Sequence, residues 1–326
     1  MAQPTGGDIH VSRPLTNISV AYMQQDQDFI ASTVFPPVPV DFQFNMYYKY
    51  YKGEWFRTAA QKRAPRTESA GTGWNVTTDT YRCEVQAVHT DIDDQTRANQ
   101  DKPVIDLDRD GTLFVTRDML LRRELDWVAT FFKRSLWTGL PDQHGSSTAG
   151  SNQFIQWDRT SSGVIENLRS ATTSLKEKTG YPPNTLVMGQ RVFDGIQNNP
   201  ELLDRIKYTQ RGVVTLELMA ALFNLDRVLV PAVVQNTAEE GAPDAMSFVY
   251  GKDALLVYAA PSPGLLTPSA GYTFEWTGYI GASNRGSRMK KFRMEAIASD
   301  RIEAEMAYDF KVVAPDLGVF FYDAVQ

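Results

Sequence analysis

The sequence predicts an α+β fold, and three observations carry that prediction. Residues 42–51 alternate with the period of two that a strand imposes, Leu121, Leu125, Val128, Phe132 and Leu136 share one helical stripe, and residues 301–312 close the chain as a long strand with unlike faces. Between stripe and closing strand, short helical and strand patterns alternate, so strands and helices are partly segregated and partly mixed.

Taken in order, residues 1–35 read as a polar, weakly periodic arm that docks by its distal end through Ile30, Val34 and Phe35. Pro36, Pro37 and Pro39 stiffen the connection that follows, because proline fixes φ and removes a donor. Phe42, Phe44, Met46, Tyr48 and Tyr50 then alternate with Gln43, Asn45, Tyr47, Lys49 and Tyr51, a strand aromatic on both sides. A second run, Val76 to Val88, places Tyr81, Cys83, Val85 and Ala87 on one face and returns antiparallel to the first. Between them, Lys52 to Gly73 is almost free of aliphatic residues, so it cannot build a core and is either disordered or ordered by a partner.

For the long helix, Thr116 is the expected N-cap, Asp118 lies in the first turn and Gly139 ends it. From about residue 157, Val164, Ile165, Leu168 and Leu175 mark a helix stopped by Gly180, Thr185 to Met188 a buried strand, and Val192, Phe193 and Ile196 another helix. Asn199 and Pro200 open a further helix, since proline at the first helical position loses no hydrogen bond. Leu216 to Phe223 follows the cap Thr215, and Arg227 to Val234 and Ser247 to Ala259 read as strands. Finally Ile302, Ala304, Met306, Tyr308, Phe310 and Val312 stand opposite Arg301, Glu303, Glu305, Asp309 and Lys311.

A chain of 326 residues, 42% hydrophobic and 22% charged, is long enough for one large or two modest domains with a real core. A net charge of -6 opposes dedicated nucleic-acid binding, which relies on clustered Lys and Arg displacing counterions; any contact with DNA is expected to be weak and local. Cys83 is the only cysteine, so no intramolecular disulfide can form and the cytosol suits the chain. Residues 1–17 lack the apolar block of a signal peptide, and runs such as Val228 to Val230 and Ala254 to Ala260 are too short to cross a bilayer. A soluble, unprocessed protein with no membrane partner is expected.

The motifs point away from chemistry. Asp106, Asp108, Asp110 and Gly111 match the first half of a calcium-binding EF-hand loop, but the twelfth position is Arg117 where a bidentate Glu is needed, so a solvated acidic turn is expected instead. Asp91, Asp93 and Asp94 read as a solvated strand end. The three histidines, His10, His89 and His144, meet no G-x-S-x-G or H-E-x-x-H motif, and Cys83 in an alternating strand reads as a small buried apolar residue. Gly71 and Gly73 do not continue to a dinucleotide fingerprint, and Gly251-Lys252 lacks the rest of a phosphate loop. No catalytic residue, metal site or cofactor is assigned. The basic run Arg57, Lys62, Arg63 and Arg66, beside Trp55 and Phe56, is suited to nucleic acid or to an acidic face of a neighbouring copy; the acidic balance of the chain favours the copy.

Five stretches carry a family resemblance: Leu15 to Tyr22 (LTNISVAY), Ala60 to Gly71, Pro183 to Met188 leading to Asn199 to Lys207, Pro261 to Leu265, and Met306 to Gly318. With the order of elements, they make the chain resemble the major capsid proteins of tailed bacteriophages, which have the HK97-like fold. The resemblance implies an N-terminal arm (1–35), an extended β-hairpin loop (36–88), a peripheral domain (89–156 and 291–326) with a spine helix at about 112–138, and a mixed α/β axial domain (157–290). It implies a structural, non-enzymatic subunit of an icosahedral phage head, self-assembling into pentamers and hexamers that enclose double-stranded DNA. Scaffolding, portal and decoration proteins would be further partners, the virion capsid the location, and the host cytoplasm the place of assembly.

Candidate inter-subunit contacts are Trp55, Phe56, Arg57, Lys62, Arg63, Arg66 and Glu68. Some family members carry a Lys to Asn cross-link, but no motif identifies such a pair; Lys49 and Lys52 are only the lysines available in that region. Three rivals remain: an encapsulin-type compartment shell protein holding cargo protein, a hydrolase using carboxylates such as Asp91, Asp93 and Glu305, and a tail or decoration protein bound to another protein's shell.

Overall fold

The computed structural model describes residues 24, 26–99, 106–206, 215–264, 266–281 and 287–326; most of the expected arm, with Leu15 to Tyr22 and His10, lies outside them. After Pro36 the chain forms β1 (Pro37–Val40), β2 (Phe44–Tyr50), a single-turn α1 (Lys52–Trp55), β3 (Val76–Arg82), β4 (Glu84–Asp93), α2 (Asp94–Asn99) and the long α3 (Leu107–Phe131). Next come β5 (Gln143–Ser146), β6 (Gln153–Ile155), α4 (Val164–Thr179), β7 (Thr185–Met188), α5 (Gln190–Gln197), α6 (Pro200–Ile206) and α7 (Leu216–Phe223). The remainder is β8 (Arg227–Leu229), β9 (Val234–Asn236), β10 (Met246–Phe248), β11 (Ala254–Val257), β12 (Gly271–Trp276), α8 (Thr277–Ile280), β13 (Ser287–Met294), β14 (Ser299–Val312) and β15 (Gly318–Tyr322).

The expected closing strand is β14, the spine of a five-stranded sheet. It pairs antiparallel with β4 along one edge and with β13 and β12 along the other, and β1 adds parallel to β12. Its alternation sorts the faces: Ile302, Ala304, Met306, Tyr308 and Phe310 are buried, and α3 packs across this sheet. A six-stranded sheet, ordered β6-β5-β15-β11-β7-β8, forms the second layer. Its central strands β7 and β11 are buried at every residue, as continuous apolar runs covered on both faces should be. Leu186, Met188, Ala254, Leu256, Val319 and Phe321 face a core with α4 to α7, whereas Val187, Leu255, Val257 and Phe320 face a second core with Trp127 and Phe131 of α3.

Several local expectations need correction. The run from Val76 to Val88 is two strands, because at Cys83 the chain changes partner: β3 pairs with β2 and β4 with β14. The long helix begins at Leu107, not near 112. Asp106 is its cap, accepting from the backbone N–H groups of Asp108 and Arg109, while Thr116 lies inside it and donates to the Thr112 carbonyl at 2.7 Å. The presumed acidic turn is therefore the first helical turn, where Asp108 and Asp110 complement the helix dipole. The helix ends at Phe131, and its buried face is Val115, Met119, Arg123, Glu124, Trp127 and Phe131. Leu121, Leu125, Val128 and Phe132 form only its half-buried flank, because two buried charges displace the apparent stripe.

Residues 227–234 and 247–259 each break into two strands. Pro231 supplies no donor to a ladder, and Gly251 takes a φ of 61°, a left-handed conformation that ends β-pairing. The five-stranded sheet takes in β12, and the six-stranded one β5, β6 and β15.

Candidate inter-subunit surface

A strand with aromatic residues on both faces has no solvated side, so it must be covered twice or left bare. In β2 one face is left bare: Phe44, Met46, Tyr48 and Tyr50 are exposed, Tyr48 to 72%, as are Phe42 before it and Trp55, Phe56 and Trp74 beyond it, whereas Tyr47 on the opposite face is half-buried. Among the described residues β2 pairs only with β3, from Phe44 opposite Arg82 to Tyr50 opposite Val76. A two-stranded ribbon is marginal alone in water, so its position depends on its root.

The root is well anchored. Tyr81 stacks on Phe274 with centroids 4.5 Å apart and Tyr47 packs on the same ring at 5.5 Å, while Cys83 is buried beside them. Asp79 accepts from the Tyr47 hydroxyl (3.0 Å) and from Lys49 Nζ (2.9 Å), with Lys311 Nζ 3.6 Å away on the closing strand. Burial works to raise the Asp79 pKa, but the hydrogen bonds from Lys49, the Thr80 N–H and Tyr47 outweigh it and hold the carboxyl well below its usual range. Burial and the Asp79 contact push Tyr47 upward, so its phenol remains a donor. The Cys83 thiol is pushed up to about 12, by burial first and then by Asp309 and Glu275. Asp309 Oδ2 also accepts the Arg82 N–H at 2.9 Å, where the ribbon leaves the sheet.

Beyond the ribbon, Trp55, Phe56, Arg57, Lys62, Arg63, Arg66 and Glu68 are all exposed. Trp55 meets Tyr50 edge-on at 6.1 Å, and Phe56 reaches Gly180 at the end of α4. Arg63 turns back to the Thr67 carbonyl at 2.5 Å, Arg66 adopts a φ of 65°, and Lys52 pairs with Asp316. The two aromatic residues thus rest on the protein's own surface, whereas the basic ones project from it.

The arm's distal end docks through the residues its pattern singles out. Ile30, Val34 and Phe35 are buried, Phe35 4.6 Å from the Phe131 ring and 6.2 Å from Trp127. The polar half of that joint has no periodic signature in the sequence. Buried Glu124 accepts the N–H groups of Ile30 (3.1 Å) and Ala31 (2.9 Å) and the Tyr250 hydroxyl. Burial raises its pKa, with those three bonds and Arg123 acting against the rise. Arg227 donates to the carbonyls of Thr33 (2.8 Å) and Val34 (2.7 Å), and buried Arg123 binds Glu275 of β12 at 2.7 Å. The available signal was Arg123-Glu124, two adjacent charges inside an otherwise amphipathic helix.

The carboxylates weighed for hydrolysis are occupied structurally. Asp91 holds Arg301 in a two-point contact (2.7 and 2.8 Å), Asp93 accepts from the N–H and hydroxyl of Thr96, and Glu305 binds Arg288 and Lys290, each at 2.6 Å. All three lie below the usual carboxylate range. For Asp91 and Asp93 the hydrogen bonds dominate; for Glu305 burial acts upward and the two cations outweigh it. None is a proton donor poised near neutrality. Asp108 of the EF-hand-like run is held by Arg97 (3.0 Å) and Lys291 (2.9 Å), and among the described residues no cluster of His, Cys, Asp and Glu is placed to hold a metal.

No family model matches the chain. It is 25% identical over 278 residues to the major capsid protein of Burkholderia phage BcepMu, covering 81% of this chain and 83% of that one. It is also 25% identical over 323 residues to the major capsid protein of Pseudomonas phage JBD67, covering 95% and 96%. Among solved structures, a phage-related protein from Bordetella bronchiseptica RB50 superposes with a TM-score of 0.67 at 20% identity over 92% of this chain and 94% of that one. The capsid of cyanophage P-SCSP1u gives 0.59 at 11% identity (97% and 93% covered), and the holo-SrpI encapsulin complex of Synechococcus elongatus PCC 7942 gives 0.54 at 10% (96% and 95%). The fold they share with this chain is the HK97-like fold.

Proposed function

We propose that this chain, a relative of the major capsid proteins of tailed phages, is the structural subunit of an icosahedral phage head, built as pentamers and hexamers around double-stranded DNA. The observation that carries the reading is the bare aromatic ribbon: anchored at its root through Tyr47 and Tyr81, uncovered on the face of Phe44, Met46, Tyr48 and Tyr50 and extended by a basic loop, it is a surface made to be completed by another copy. Heterologous contacts of this kind close into rings and shells when their rotations close, and many modest interfaces sum to a stable particle. Trp55, Phe56, Arg57, Lys62, Arg63, Arg66 and Glu68 are the residues proposed to meet the neighbour. In this reading α3 with the five-stranded sheet is the peripheral domain, and the six-stranded sheet with α4 to α7 the axial one. Scaffolding, portal and decoration proteins are further proposed partners, DNA contact is weak and non-specific, assembly takes place in the host cytoplasm, and the role involves no catalysis.

The test is negative-stain microscopy of the purified protein and of a variant lacking Lys52 to Gly73. The intact chain is expected to form closed particles, and the deletion variant soluble subunits without them. Particles of normal size from the variant would remove the loop from the mechanism. The encapsulin neighbour keeps a second reading in view, a compartment filled with protein; packaged DNA in native particles decides against it, and a cargo enzyme decides for it.

A further inference from the structure

The loop's first turn rests on its own subunit. Lys52 pairs with Asp316, and the Phe56 ring lies over Gly180, so that a Cβ built there would stand 3.1 Å from Phe56 Cζ. Gly180 closes α4 with a φ of 78°, and Asp316 lies in the turn Pro315–Leu317, which packs against the same helix, so the two contacts form one small seat. Glu54 ties the turn back to the ribbon by accepting from Asn75 Nδ2 at 2.6 Å and from the Asn75 N–H.

The seat covers little. Phe56 remains 65% exposed, Trp55 58%, and the Lys52 side chain 50%. An ion pair this exposed is weak and screened by salt, and a ring so little buried adds a modest hydrophobic term. The seat therefore holds a population without fixing it. It also occupies Phe56, one of the apolar side chains proposed above to meet a neighbour.

We propose that the Gly180 and Asp316 seat is a weak self-latch: it holds the loop's first turn against its own subunit and must release Phe56 before a second copy can take it. This rests on the shell reading given above. A subunit whose binding-competent form is only a fraction of the whole associates more weakly by that fraction, so the latch suppresses premature association. Its weakness lets assembly proceed once subunits are concentrated.

The test substitutes the seat and leaves the loop intact. Asp316→Asn is expected to raise the initial rate of shell formation, followed by light scattering at low salt, by about two- to tenfold, the fraction a weak latch withholds. It should also speed tryptic cleavage at Arg57, a site present in every variant, in the unassembled subunit. The charge-reversed pair Lys52→Asp with Asp316→Lys should restore both towards wild type, which general destabilisation would not do. Asp316→Asn subunits that assemble no faster and are cleaved no faster would overturn the latch. If wild-type protein forms no shells, the shell reading fails; unchanged cleavage then still refutes the latch, and faster cleavage still supports it.

Discussion

The buried ion pair between Arg123 and Glu275 allows a sharp test of how the helix is held to the sheet. The side chains are 5% and 8% exposed and 2.7 Å apart, and the guanidinium also lies 5.3 Å from the Tyr308 ring centroid and 5.9 Å from that of Phe310. Glu275→Leu removes the counter-charge and leaves the cation buried, which costs about 3–5 kcal/mol, because desolvation is no longer offset by attraction. At roughly 2–4 °C per kcal/mol for a chain near this size, the melting temperature of the unassembled subunit should fall by on the order of 10 °C. Arg123→Met combined with Glu275→Leu removes both charges and fills the space with apolar atoms, so the double variant should lie within about 1 kcal/mol of wild type or above it. Urea denaturation of the four members of this cycle, on dissociated subunits so that assembly adds no stability, gives the coupling directly. A single variant that costs under about 1 kcal/mol, or a double variant as unstable as the single, would refute the argument that desolvation governs this joint.

The Asp79 cluster predicts an acid response of defined sign. Its folded pKa lies below the ordinary 3.8, so its contribution is complete above that value and is lost as pH falls through the depressed folded one. Proteolysis of the ribbon should accelerate over that acid range in wild type and show a flatter profile in Asp79→Asn; identical profiles would argue against the anchor. Cys83, buried and with its thiol pushed up to about 12, should react with a disulfide reagent at pH 8 only as fast as the subunit opens, and immediate stoichiometric labelling would contradict that. Gly318→Ala places a Cβ 2.2 Å from Trp137 Cε3 at a φ of -137° that any residue accepts, so its cost is steric. A loss of about 1–3 kcal/mol is expected by thermal melting, and wild-type stability would mean the ring moves freely.

Much of this architecture is legible in the residues because it is periodic. The β14 faces, the buried runs of β7, the stop at Gly180 and the cap at Thr215 follow from spacing and backbone preference, and each stands where its pattern places it. Errors cluster where a long-range contact outweighs a local pattern. The ladder switch at Cys83 is invisible because alternation continues through it, and the early start of α3 is hidden because an aspartate cap within an acidic run resembles half a calcium loop. At the candidate surface, the sequence shows that Lys52 to Gly73 has no core but not where its first turn rests, since Gly180 and Asp316 are distant in the chain. Glu124, Tyr250 and Arg227 could not be grouped for the same reason.

Those distant polar contacts explain how a single chain could serve differently placed neighbours. β7, β11 and β15 send alternate side chains into two cores, so tilting α3 against the axial helices would require both faces of one sheet to repack together. Apolar packing alone tolerates small slips, and the polar joints fall where slips would matter: Arg123 on β12, Glu124 on the arm's end and Tyr250, Arg227 on Thr33 and Val34. A helix displaced by one residue would break the contacts of Arg123 and Glu124 at once, leaving buried charge without its partners. The body is therefore stiff, and adaptation falls to segments with little buried area, chiefly the ribbon and loop from Phe42 to Val76. The proposed head, with its five-membered and six-membered rings, would need that division, because the angle between neighbours changes while the fold does not.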